Sequence, residues 1–176
     1  QVGLALGERA TALLLANTAV VFKDPPRGSR FHRFARLPIV SDLAFRGLGF
    51  PQNRLWSVQG DRDSIRGETA RAYTWPLRGW KERIAPLALA RLVPSRSDHP
   101  SLPALRRGAD WARTFSGPKA LIWGERDPIL GRALARHERE LNPAFTVRTE
   151  AGHFLQEEVP QEIAAAIRKL AALPLR

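Results

Sequence analysis

Cysteine and methionine are both absent from this chain of 176 residues. Without cysteine there is no disulfide scaffold, no thiolate-ligated zinc and no thiol nucleophile. Four histidines, His32, His99, His137 and His153, leave little material for a metal cluster, so neither a metal nor a cofactor is expected. No apolar run approaches the roughly 18 residues of a membrane span. No charged stretch leads into an apolar one as in a secretion signal, and a cytoplasmic location is the expectation. The missing methionine and the opening Gln1 read as a processed, trimmed or partial chain.

Lysine is scarce as well. Only Lys23, Lys81, Lys119 and Lys169 occur, and the other 24 of the 28 basic residues are arginine. Against 17 acidic residues this gives a net charge of +11 and an isoelectric point near 11.4. A nucleic-acid interface calls for a basic stripe, a binding motif or interleaved aromatics. Here the arginines are scattered through every segment and run no longer than Arg106-Arg107. No specific nucleic-acid partner is expected, although such a charge favours loose adhesion to polyanions.

Apolar residues make up 44% of the chain, enough for an ordinary globular core. Thr11–Val21, Lys119–Gly124 and Phe145–Thr149 read as strands; the first two are the continuous apolar runs of a parallel sheet buried on both faces. Val2–Leu6 reads as the tail of a helix. Between Arg30 and Ala90, aromatics and arginines alternate with short apolar groups among recurring Pro and Gly. That texture predicts short helices over Ser29–Ile39, Ser41–Leu48, Ser64–Thr74 (with Ser64 as N-cap) and Trp80–Val93, the last tolerating or kinking at Pro86. Further helices are predicted over Leu102–Phe115, Leu130–Glu140 and from Phe154 or Leu155 to Leu170. Pro160 falls in that last helix, early enough to be tolerated in a first turn. Strand, helical excursion, helix, strand, helix, strand, helix is the order of an α/β fold with a parallel sheet.

Ligands of open parallel sheets gather at the carboxyl ends of the strands. Asp127 lies just past one such end and His153 past the next. A carboxylate that accepts from one imidazole nitrogen fixes the tautomer and stabilises the imidazolium, leaving the other nitrogen to take a proton. Each residue alone reads as a loop residue. Gly60-Asp-Arg-Asp63 reads as a polar turn, and Glu157 and Glu158 as a solvated helix start favoured by the helix dipole.

The segments Ala120-Leu-Ile-Trp-Gly-Glu-Arg-Asp127-Pro and Ala151-Gly-His153-Phe-Leu-Gln-Glu-Glu-Val-Pro160 resemble the C-terminal half of an α/β-hydrolase, in its haloalkane dehalogenase-like and epoxide hydrolase-like group. Val2–Leu6 is similar to the helix that follows that group's nucleophile, and Leu13–Thr18 to its sixth strand. The resemblance implies Asp127 as catalytic acid and His153 as base. Asn17 stands where some dehalogenases carry the acid, consistent with its placement at Asp127. Residues 29–93 then correspond to a helical cap, and residues 1–28 with 94–176 to the C-terminal part of the core. Trp56, Trp75 and Trp80 fall in the cap as candidate substrate-binding residues, since an indole N–H suits a halide or oxyanion in an apolar cavity. The implied chemistry is hydrolysis of a small hydrophobic substrate through a covalent intermediate.

The family's nucleophile sits on a Gly-x-Asp-x-Gly or Gly-x-Ser-x-Gly elbow, and no such motif occurs in these 176 residues. The expectation is therefore a fragment or truncated form, inactive alone, with an N-terminal half as its missing partner. The alternative is a non-catalytic truncated or split homologue with a structural or association role.

Overall fold

A computed structural model describes residues 9–24, 26, 29–94 and 96–174. The helix expected over Val2–Leu6 lies outside them. The chain divides into two compact units. One takes in the described residues up to Phe22, Val58–Ser64, and the chain from Ala104 onward; the other takes in Lys23–Ser57 and Ile65–Pro103. Residues 58–64, which the sequence groups with the helical stretch 29–93, thus fall in the first unit.

The first unit is built on a parallel sheet in the order β1 (Leu13–Ala16), β2 (Lys119–Gly124), β3 (Phe145–Thr149). Leu15 pairs with Leu121, and Ile122 with Val147. Ala120, Leu121, Ile122 and Trp123 are fully buried, as a central parallel strand requires. Alternate side chains of β2 feed two cores. Leu121 and Trp123 pack with Ala109, Ala112, Leu134 and Leu141 on one face. Ile122 packs with Ala151, Leu155 and Ala166 on the other.

β1 is much shorter than the expected Thr11–Val21. It stops at Ala16 because Asn17 turns the chain with φ +30°, a conformation asparagine tolerates better than most residues. The helix Leu134–Leu141 begins later than expected, after a 3₁₀ turn at Gly131–Ala133, and closes on Asn142 in the left-handed region at φ +47°. The final helix is not continuous. Leu155–Glu158 and Pro160–Ala171 are separate helices, broken at Val159. The proline ring disfavours helical backbone in the residue before it, while Pro160 itself takes the first position of the next helix.

The second unit contains helices and turns and no strand among its described residues. Its core joins Ala35, Phe45, Leu87 and Ala90 with the half-buried Phe31, Phe34 and Phe50. Helix Arg30–Ala35 is capped by Ser29, whose hydroxyl accepts from the His32 N–H. Ser64 caps nothing. The helix predicted to start there begins at Gly67, because the Ser64 hydroxyl donates to the Asp61 carbonyl (2.7 Å) and accepts from Gln59 Nε2 (3.1 Å). Helix Ile84–Leu92 starts late enough that Pro86 sits in its first turn, where the missing N–H costs no intrahelical bond, so there is no kink to explain. No helix among the described residues is long and apolar enough to cross a membrane.

Candidate active site

At the end of β2 the chain turns through Glu125-Arg126-Asp127. The Asp127 carboxylate closes this turn on itself: Oδ1 accepts from the N–H groups of Ile129 (2.7 Å) and Leu130 (3.0 Å). This is the local habit of aspartate before a proline turn. It leaves Oδ2 directed outward, 2.9 Å from Nδ1 of His153 on the loop after β3. The Asp127 side chain is fully buried and that of His153 is 24% exposed. Burial pushes the Asp127 carboxyl up, but the bonds from His153 and from the Leu130 and Ile129 amides together hold it below its ordinary value. A buried, ionised acceptor at Nδ1 makes that nitrogen the donor, so neutral His153 carries its lone pair on Nε2.

Three other groups hold the two loops in place. Asn17 accepts from the Gly124 N–H at Oδ1 (2.9 Å) and donates from Nδ2 to the carbonyls of Gly152 (2.8 Å) and His153 (3.3 Å). One amide side chain thus ties the ends of β1 and β2 to the histidine loop. Gln59 accepts from the Phe154 N–H (2.9 Å). Glu158 accepts from the Gly152 N–H (2.9 Å). Gly152 itself admits no side chain: a Cβ there would lie 2.4 Å from the Gln59 Cα.

In the sequence Asn17 is marked only as standing where some dehalogenases carry the acid, and nothing marks Gln59. Glu158 has the sequence pattern of a solvated helix start, and Gly60–Asp63 that of a polar turn in the helical excursion. In the structure Glu158 is half-buried and bonded to backbone N–H groups of that turn, within the first unit. The available signal is the asparagine at a strand end; nothing local marks a glutamine 94 positions before His153 as its neighbour.

The three candidate tryptophans lie in the second unit. Trp56 is half-buried at Gln52–Val58. Trp75 is 63% exposed under the Arg78 guanidinium, 3.5 Å from its ring centre. It borders a cavity of about 350 Å³ with Leu48, Gln52, Arg71 and Arg83. Trp80 is 46% exposed, with Arg46 at 4.4 Å. Trp111 and Trp123 pack in the core, where Trp123 Nε1 donates to the Leu130 carbonyl (3.0 Å). His137 is a buried structural group: Nδ1 meets the Ala133 carbonyl (2.9 Å) and Nε2 accepts from the Val21 N–H (3.3 Å). Among the described residues no three His, Asp or Glu are grouped as metal ligands.

No known protein-family profile matches the chain. A haloalkane dehalogenase of Mycolicibacterium paratuberculosis is 28% identical over 148 residues, covering 82% of this chain and 46% of the relative. Haloalkane dehalogenase 1 of Mycobacterium tuberculosis is 38% identical over 80 residues, 44% of this chain and 27% of the relative. Among solved structures, a putative ancestral haloalkane dehalogenase superposes with a TM-score of 0.73 at 20% identity, over 98% of this chain and 64% of that one. The tetrameric haloalkane dehalogenase from Paraglaciecola agarilytica gives 0.70 at 18% identity, over 99% and 56%. The matches span less than two thirds of each of these proteins. The chain therefore has an α/β-hydrolase fold in part, and in sequence and backbone it resembles the haloalkane dehalogenases.

Proposed function

We propose that this chain supplies the acid–base half of a hydrolase that acts on a small hydrophobic substrate through a covalent intermediate, as the name of its dehalogenase relatives suggests. The observation that carries this reading is the 2.9 Å contact between His153 Nδ1 and a fully buried Asp127 carboxylate on consecutive strand-end loops. A nucleophile outside these residues attacks the substrate carbon and expels the leaving group, forming an ester. His153 Nε2 then removes a proton from water as the water oxygen attacks that ester; the ester C–O bond breaks, the imidazolium returns the proton to the departing oxygen, and the alcohol and the free nucleophile-bearing group are released. Asp127 stabilises the resulting imidazolium without taking its proton. Residues 29–57 and 65–93 act as the cap in this proposal, with Trp56, Trp75 and Trp80 as candidate contacts to substrate or halide.

The test is to assay the chain alone, and then with a separately made polypeptide carrying the elbow and the remaining strands, against haloalkanes, epoxides and aryl esters. Turnover is expected only in the second case, and is expected to vanish in His153→Ala. Turnover by the complemented pair that survives His153→Ala would overturn the reading. No turnover in either arm, with the pair shown to associate, would favour the non-catalytic alternative.

A further inference from the structure

Residues 58–61 meet the histidine loop almost rung by rung. The His153 N–H donates to the Val58 carbonyl at 2.9 Å. The Phe154 N–H donates to Gln59 Oε1 at 2.9 Å, and Gln59 Nε2 returns a bond to the Phe154 carbonyl at 3.2 Å. Gln59 is itself buried and anchored by the Ser64 hydroxyl at 3.1 Å. From the helix after the loop, one carboxylate gathers both strands of this contact. Glu158 Oε1 accepts from the N–H groups of Gly60 (3.0 Å) and Gly152 (2.9 Å), and Oε2 from that of Asp61 (2.8 Å).

We propose that residues 58–61 are a positioning brace for His153, with Gln59 and Glu158 as its positioning residues. The distribution of the bonds argues for this. They fall on Gly152, His153 and Phe154, the histidine and its two neighbours, and so fix the backbone from which the ring projects. With that backbone held, two side-chain torsions bring Nδ1 to Asp127. Hydrogen bonds to a charged acceptor are the stronger kind, and three on Glu158 resist displacement of the loop. The small residues are required too. A Cβ on Gly60 would lie 2.4 Å from the Glu150 carbonyl, and one on Gly152 would lie 2.4 Å from the Val58 carbonyl. The brace rests on the reading of His153 as a base, yet it makes a claim about this chain that needs no turnover to examine.

The experiment follows the His153 Nδ1 proton by NMR in the 176-residue chain, together with amide exchange. In Glu158→Gln, the amides of Gly60, Asp61 and Gly152 are expected to lose protection by about tenfold or more. The Nδ1 proton is expected to exchange with solvent faster by a similar factor, while Leu121 and Ile122 of β2 keep their protection. Gln59→Ala is expected to do the same through Phe154, and Glu158→Asp to restore part of the effect. An Nδ1 proton unchanged in both variants would overturn the proposal. Loss of β2 protection in both would overturn it equally, since Gln59 and Glu158 would then build the fold and not the ring position. If the complemented wild type shows no turnover, the hydrolase reading fails and these exchange results still decide the brace. If it does turn over, Glu158→Gln is expected to lower kcat and leave KM unchanged.

Discussion

Around the Asp127–His153 pair, loops are closed by side chains that mainly accept. Asp127, Glu158, Asn17 and Gln59 between them take up the amides of Leu130, Ile129, Gly60, Asp61, Gly152, Gly124 and Phe154. In the second unit the same task is done by donors. Arg83 reaches the carbonyls of Leu77, Arg46, Gly47 and Arg78. Arg91 reaches Ala35, Arg36 reaches Arg91 and Val93, and Arg46 reaches Trp80. A strand leaving a sheet frees both N–H and C=O groups, whereas the C-terminal end of a helix leaves carbonyls alone without partners. A unit made of many short helices has many such ends, and the guanidinium fork, with five donors, serves several at once. Several of the scattered arginines that contribute to the charge of +11 are thus helix-end ties, not parts of a binding stripe.

Core truncation should affect both units most. Trp123→Ala and Phe45→Ala each remove a fully buried aromatic and are expected to cost about 3–5 kcal/mol, read by denaturant unfolding. A loss below about 1 kcal/mol at either site would mean that side chain is not central to its core.

Next comes the arginine tie. Arg83→Met is expected to cost about 1–2 kcal/mol, with faster amide exchange around Gly47 and Arg78. Arg83→Lys should fail to rescue it, since one ammonium has three donors for four carbonyls. Full rescue by lysine would remove the fork argument.

Acid acts on both units. Burial lowers the pKa of His137, opposed only in part by the Ala133 carbonyl. The unfolded chain therefore binds a proton near the ordinary histidine value of about 6.5 before the folded one does. Stability should fall as pH drops below that value, by at most about 1.4 kcal/mol per pH unit for this group. His32, also lowered by burial and by Arg36, acts in the same direction in the second unit. Asp127 adds a later loss. Its folded pKa is depressed, so its contribution is complete above the ordinary carboxyl range and disappears as pH falls through the folded value. A His137→Gln variant with an unchanged slope between pH 6.5 and 5 would contradict the assignment. The smallest effect belongs to the exposed pair Arg71–Glu68, where Arg71→Gln should change stability by less than about 0.5 kcal/mol in the same unfolding assay.

The sheet was legible because β2 is a continuous apolar run between a Gly-Pro break and a polar turn, and the residues past each strand end stand out by chemistry. Asp127 and His153 could be paired for that reason, and the structure sets them 2.9 Å apart. The local pattern misreads positions where a distant contact, a competing hydrogen bond or a neighbouring proline decides. Glu158 looks like any acidic residue in a first helical turn, and only the return of residues 58–61 gives its carboxylate three amides to accept from. Ser64 has the right type for a cap but spends its hydroxyl on Asp61 and Gln59. Val159 lies inside an apolar periodicity, yet the following proline breaks the helix there.

The central claim is that His153 activates water against a covalent intermediate, and intact-mass analysis tests it most directly. The chain carrying His153→Gln is combined with a polypeptide bearing the nucleophile elbow and incubated with a haloalkane. The account predicts one equivalent of halide released and a stable mass gain, on the nucleophile-bearing chain, of the alkyl group less one hydrogen. Continued turnover with no accumulated adduct would contradict it.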